Sequence, residues 1–455
     1  MEKLERKAYQ LAEILKREDE VLVVTHIDAD GITSGAIAYR ALERAGKDVD
    51  IRFVKSLDSA EIEKIANDNK FVWFTDLGSG QIMDIQKKIS DFIVSDHHVP
   101  EIISDNQLNP HIFGYDGSYE LSGSTTTYLL ARVLGLNHDL VSIAIVGAVG
   151  DLQDSNYGRL VGLNREVLRE GVANRFINAK KDLRFFGKQT RPVFKMLEYT
   201  FDPYMPGISG SERGSLEFLD SLGVRVKKDD AWLRWVDLGE AEKTKITSEI
   251  VKILVARNYP YGLIMKIVGE SYILLDEEEG TELRDAMEFS TLLNATARYG
   301  EEKVGLAVCL GDRENGYRKA KSLLQNHRRN LSDGLRLVDE IGIVELENVQ
   351  YFHAGRKILD TIIGIVAGMS YSFANRNKPV IAFAENEEGV KVSARATKNL
   401  VERGVHLAQA IKIAAEKVGG AGGGHSIAAG ATIPRGSEDE FLKILDRIVG
   451  EQLLS

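Results

Sequence analysis

Over the first third of the chain, apolar runs alternate with polar loops and helix-like stretches. VLVVTHIDADG, IRFVKSLD, FVWFTDLGSG and DFIVSDHH each place a strand-like run ahead of a polar turn. This alternation predicts a parallel sheet wound with helices over residues 1–165. From residue 166 to 340 the pattern turns more charged and mainly helical, through NAKKDLRFFGKQTRPVFKMLEY and a long helix expected from Arg313 to Glu340. That stretch reads as a connector or inserted region. Residues 341–455 follow with the strand-like IGIVELENVQYFHAG, an apolar helix ILDTIIGIVAGMSYSFA, strands PVIAFAENE and VKVSARA, and a Gly-rich loop. They predict a second, smaller α/β unit.

A chain of 455 residues is long enough for two or three cores. Cys309 is the only cysteine, which removes disulfides and Cys-rich metal sites, so any metal must sit on His and carboxylates. The opening MEKLERKAYQLAEILKRE has amphipathic helical spacing, unlike a signal peptide, and no long uncharged apolar run follows. The expectation is a soluble, intracellular (cytoplasmic) protein with no membrane partner. A net charge of −10 argues against a whole-surface grip on nucleic acid, while leaving room for a local basic groove.

Four predicted strand ends carry acid or histidine: His26, Asp28 and Asp30; Asp76; Asp96, His97 and His98; and Asp151 closing SIAIVGAVGD. Singly, Asp76 or Asp151 reads equally well as a helix cap, and the histidine pair as a turn. Together, in one sheet, they read differently. Ligands of open α/β sheets collect outside the carboxyl ends of the strands, and carboxylates gathered there repel one another unless a cation intervenes. If His-x-Asp-x-Asp stays extended, its three side chains share one side.

HIDADGITS, FTDLGSG, VSDHH and VGAVGD, in this order, resemble the four motifs of the DHH phosphoesterase superfamily. The resemblance implies an α/β DHH catalytic domain that hydrolyses phosphoester bonds with two divalent ions, Mn2+ in the first place with Mg2+ as a substitute, by activating water. It implies His26, Asp28 and Asp76 as ligands of one ion, and Asp30, Asp76, His97 and Asp151 as ligands of the other. Asp96 is then expected to orient His97, and His98 to face the scissile phosphate. Mixed imidazole and carboxylate ligation favours manganese over magnesium.

GGAGGGHSIAAGATI, with Gly422, Gly423, Gly424 and His425, lacks the Walker pattern and alone is a helix terminator. It resembles the Gly-Gly-Gly-His signature of the DHH-associated domain, and VSARAT resembles that domain's substrate-binding Ser-x-Arg, here Ser393 and Arg395. NATARYG resembles a RecJ-type stretch, with Arg298 kept as a substrate contact and Ala297 in place of a glycine; LLQNHRRN is similar to the RecJ connector helix. The basic and aromatic run KKDLRFFGKQTRP offers Phe185, Phe186, Lys188 and Arg191 to a single strand, or else packs into the connector.

The branch implied is the archaeal RecJ-like kind, a manganese-dependent exonuclease acting 5′ to 3′ on single-stranded DNA, with RNA as a further substrate. Two alternatives stand beside it. One is a phosphodiesterase of oligoribonucleotides or cyclic dinucleotides. The other is a replication scaffold that binds the GINS complex, since RecJ-like archaeal proteins resemble the eukaryotic CDC45-type subunit.

Overall fold

The computed structural model describes residues 2–201 and 203–454. They form two compact units that divide after Leu324.

The first unit is built on a five-stranded, all-parallel sheet: β1 (Glu20–His26), β2 (Asp48–Val54), β3 (Phe71–Thr75), β4 (Phe92–Ser95) and β5 (Gln107–Leu108), in the order β2-β1-β3-β4-β5. Alternate residues explain its two covered faces. Val21, Val23, Trp73 and Ile93 pack against α1 (Glu2–Leu15), α2 (Ala29–Arg44), α5 (Gly123–Leu134), α6 (Val141–Gly150) and α7 (Gly162–Ala173). Leu22, Val24, Val72, Phe74 and Val94 pack on the other side against α3 (Ser59–Ala66) and α4 (Ile82–Lys88). Burial on both faces is why β3 reads FVWFT with no polar alternation.

Two expectations fail in this unit. SIAIVGAVG is the buried helix α6, so Asp151 sits at a helix C-terminus and not at a strand end. A helix apolar all round, enclosed by neighbours, has no amphipathic period to betray it. His-x-Asp-x-Asp does not stay extended either: the chain turns at Asp28, the N-cap of α2, and Asp30 lies in the first helical turn. The region expected to be mainly helical is so, and it also carries a strand near its start, β6 (Ile177–Leu183).

Strand β6 pairs antiparallel with β9 (Val268–Leu274), and the chain between them makes a small insertion. It holds α8 (Val193–Glu198), α9 (Glu212–Ser221), the hairpin β7 (Lys227–Lys228) and β8 (Ala231–Trp232), α10 (Glu240–Ala256) and α11 (Tyr261–Ile267), around a core that includes Phe185, Phe194, Leu197, Trp235 and Ile250. Of the two readings of the basic and aromatic run, Phe185 and Lys188 follow the packing one and are buried; Lys188 lies 3.3 Å from Asp285 and bonds Ser271. Helices α12 (Ala286–Arg298) and α13 (Glu302–Cys309) then return to the main core. The long helix α14 runs from Asn315 to Ile341.

The second unit is a six-stranded mixed sheet, β10 (Val344–Glu345), β11 (Gln350–His353), β12 (Val380–Glu385), β13 (Val390–Arg395), β14 (Ala421–Gly424) and β15 (Ala428–Ile433), ordered β10-β11-β12-β13-β15-β14. Helix α15 (Ile363–Met369) covers one face, and α17 (Leu407–Lys417) and α18 (Glu438–Leu454) the other; α16 (Lys398–Glu402) follows β13. The expected Gly-rich loop is the edge strand β14. Glycines serve the pairing here: a Cβ on Gly422 would press on Ile411 of α17, and Gly424 has a φ of +136°.

Candidate metal centre

The order β2-β1-β3 reverses direction between β1 and β3, and there the crevice opens. His26 closes β1 and Asp76 follows β3. The β1–α2 turn is locked locally: Asp28 accepts from Gly31 N at 3.0 Å, and Thr25 Oγ1 donates to Gly31 O at 2.6 Å. Asn294 of α12 accepts the Ala29 N–H at 3.0 Å, meeting one of the open donors at the α2 N-terminus.

Two groups of ligating atoms converge, His26 with Asp28 and Asp76, and Asp30 with His97 and Asp151, and a third overlaps them in Asp76, Asp96, His97 and His98, each within 4.8 Å of one another. Asp76 stands between the first two, its Oδ2 at 3.9 Å from His26 Nδ1 and its Oδ1 at 3.3 Å from His97 Nε2. His26 Nδ1 lies 3.0 Å from Asp28 Oδ2. A cleft of about 300 Å3, lined by His26, Asp28, Asp76, His97, His98 and Asp151 among others, opens over them.

The surrounding hydrogen bonds aim these groups. Asp30 accepts from Gly123 N at 2.8 Å and Ser124 N at 3.0 Å, at the N-terminus of α5. His97 Nδ1 bonds Gly117 O at 2.7 Å, which turns Nε2 toward the carboxylates. Gln153 donates both to Gly117 O at 2.8 Å and to Asp151 at 2.7 Å, and Asn164 fixes Gln153 in turn. Asp96 does not orient His97 through its ring, as expected. Its Oδ1 holds His98 Nδ1 at 2.8 Å, while its oxygens also take the backbone N–H groups of Ser79, His97 and His98. The His98 side chain is 60% exposed and lines the cleft.

Crowding is visible in the protonation equilibria. Burial and then the charge of Asp30 push the Asp76 carboxyl well above the usual range. Burial raises Asp151 to about 6 against the pull of His97. Burial opposes charge on His97, but the Asp76 hydrogen bond and the charges of Asp151, Asp76 and Asp30 outweigh it and raise the pKa well above normal. Asp96, although buried, is held below the carboxylate range by His98 and then His97. Asp76 also adopts a left-handed backbone, φ +59°, and its buried Oδ1 faces His97 Nε2 at a long 3.3 Å and makes no tighter hydrogen bond. A strained, buried carboxylate among three further aspartates and two imidazoles fits a divalent cation.

Arg298 ends α12, with the Asp28 charge acting on it. In the second unit, Ser393 pairs across to Gly430, and Gly430 to Gly423, so these three positions form one row over β13, β15 and β14. Arg395 lies two residues on, so it shares that face, and its guanidinium reaches Gly364 of α15. Gly422 points to the opposite face, toward α17. His425 is exposed just past β14, its N–H bonded to Ala428 O. Sequence reasoning missed Gly117, Gln153, Asn164 and the α5 N-terminus. Only the last had a signal, the capping pattern Ser122–Thr125 ahead of an apolar helix.

Among the described residues, no helix is long and apolar enough to cross a membrane. Residues 20–148 match the DHH family N-terminal domain, 185–268 the DHH-CID domain and 348–451 the DHHA1 domain. The uncharacterized protein MJ0831 of Methanocaldococcus jannaschii is 35% identical over 97% of this chain and 95% of its own. Exonuclease RecJ bound to manganese shares the fold with a TM-score of 0.61 at 17% identity, covering 98% of this chain and 94% of that one. CDC45 from Entamoeba histolytica does so with a TM-score of 0.67 at 11% identity and 98% of both chains. RecJ from Thermus thermophilus, in complex with Mn2+, gives 0.61 at 17%, and there the chain spans only 55% of the longer protein. A DHH domain, the DHH-CID insertion and a DHHA1 domain in this order make this chain a member of the DHH superfamily, with a fold shared with RecJ.

Proposed function

We propose that the protein is a divalent-metal-dependent phosphodiesterase, a RecJ-like exonuclease of single-stranded DNA, acting 5′ to 3′, with RNA as a further substrate. The observation that carries this is the convergence of His26, Asp28, Asp30, His97 and Asp151 in two groups with the Asp76 carboxylate between them. His26, Asp28 and Asp76 would hold one Mn2+, and Asp30, Asp76, His97 and Asp151 the other, with Mg2+ as a substitute. Bound metal would supply a water of lowered pKa and positive charge opposite the developing phosphorane oxygens. The chain's own contribution is orientation. His98, pinned by Asp96, presents its free ring edge to the cleft, where it donates a proton or a hydrogen bond to the scissile phosphate. On the second unit, Ser393 and Arg395 with the Gly423 row offer hydroxyl, guanidinium and an uncrowded backbone to strand phosphates. Arg298, Gly424 and His425 complete the proposed contacts, while Gly422, expected among them, faces α17 instead.

A fold shared with CDC45 supports a second reading, a replication scaffold that binds GINS. One experiment separates the two. Replacing Asp96, His97 and His98 together by Ala should abolish manganese-dependent release of nucleotides from end-labelled single strands and leave GINS capture unchanged. Cleavage that survives the triple substitution overturns the site, and laddering of dinucleotides alone moves the chain to the oligoribonucleotide branch.

A further inference from the structure

The insertion between β6 and β9 carries an alternation of rings and cations that no residue of the metal centre shares. Arg191 lies over the Phe186 ring at 4.8 Å and over Tyr199 at 5.0 Å. Lys195 follows at 5.5 Å from both Phe194 and Tyr199. Phe194 meets Trp232 with ring centroids 4.6 Å apart, and Lys227 stands 3.9 Å above the Trp232 ring. The segments come together for local reasons. Lys227 and Trp232 are directly opposed in the β7–β8 hairpin, and Val193 N bonds Leu233 O at 2.9 Å, tying the hairpin to the start of α8.

The band is exposed where it matters. Tyr199 is 51% and Trp232 40% exposed, while Phe194 is buried beneath as support. Lys195 is committed to Glu198 and Glu212. Lys227 and Lys228 are exposed and form no ion pair among the described residues. Burying two large rings in a core would be ordinary; here Tyr199 stays exposed beside Arg191 and Lys195, and Trp232 beneath Lys227. Stacking platforms spaced by cations are how proteins hold single strands without reading sequence, because every base has a π-face and every link a phosphate.

We propose that this band is a second binding site for single-stranded nucleic acid, with unpaired bases on Tyr199 and Trp232 and phosphates on Arg191, Lys227 and Lys228. It shares with the proposed function only the class of ligand. The lysines favour a polyanion with stackable bases over an acidic protein segment, which offers charge without rings.

The chain contains three tryptophans, of which Trp73 and Trp235 are 0% and 1% exposed. Tryptophan fluorescence of the full-length protein in chelator therefore reports on Trp232 without hydrolysis. Titration with 15-nucleotide oligo-dT or oligo-rA should give saturable quenching that weakens with salt and is much smaller for duplex of the same length. Tyr199→Ala and Lys227→Gln should each weaken it, Tyr199→Ala by about tenfold. Manganese-dependent cleavage of a dinucleotide, too short to span both sites, serves as the folding control and should stay at the wild-type rate. Absence of quenching by single strands, affinity unchanged in both variants, or equal quenching by polyglutamate, which would make the band a protein-docking face, each overturns the proposal. Quenching without any cleavage would instead sink the exonuclease reading and leave this one standing.

Discussion

Asp76 concentrates the argument at the scale of the residue. Left-handed backbone at a non-glycine costs on the order of 1–3 kcal/mol, and burial of the Asp76 carboxyl adds a desolvation cost that the long His97 contact offsets only in part. Such a residue destabilises the metal-free protein. Asp76→Asn removes the carboxylate while keeping the shape, so it should abolish manganese binding as read by titration calorimetry. Protons and metal compete here. Asp76 and His97 are raised well above their usual values and Asp151 to about 6, so a divalent ion must displace protons from them. Falling pH refills those groups, and affinity should drop steeply as pH falls through about 6. Calorimetry in buffers of different ionisation enthalpy should show protons released on binding; pH-independent affinity with no proton release contradicts the cluster.

Elements were legible where their period was. Strands β1, β3 and β4 were plain, because apolar runs of strand length end at polar turns. The helix α6 was not, since burial on every side erases the period that separates helix from strand, and only its length argued for a helix. Strand β6 was hidden for the opposite reason. Its NAKKD centre is polar and partly exposed, and its identity comes from pairing with β9, far along the chain. Long-range pairing also places Glu288 of α12 against the loop after β6, where it accepts from Gln189 N at 2.7 Å and from Thr190. Burial, then Asp285, raises Glu288 to about 7 from 4.5. The folded state thus keeps a proton that the unfolded chain has lost, and stability is lost as pH rises from about 4.5 through 7. Glu288→Gln mimics the protonated form. Its stability advantage over wild type in chemical denaturation should grow between about pH 5 and 8, by up to about 3 kcal/mol. An advantage that stays flat across that range would place the titration elsewhere.

For the whole molecule, the motifs carried more than the patterns did. Four short stretches named the DHH domain and two more the DHHA1 domain, whereas the insertion carried no motif and its fold rests on the core around Trp235. Every proposed metal ligand, from His26 to Asp151, lies in the first unit. The second unit has its own cores, around Phe383, Ile411 and Phe441 on one face and Phe352, Ile363 and Ala382 on the other. A ligand that binds only the folded state stabilises what it binds, by about 2.7 kcal/mol at a hundredfold excess over Kd. Manganese should therefore slow amide exchange in peptides of β1, α2, β3, the Asp96–His98 turn and the α6 C-terminus. Exchange in β12, β13 and β15 should stay unchanged, because their opening is governed by cores the ion does not touch. In calorimetry the same linkage predicts two transitions of which manganese raises one. If protection rises equally in both units, with a single transition moving as a whole, the units unfold together. The ion would then act on the second unit through cooperativity, and the division after Leu324 would be a feature of the fold without being a boundary of stability.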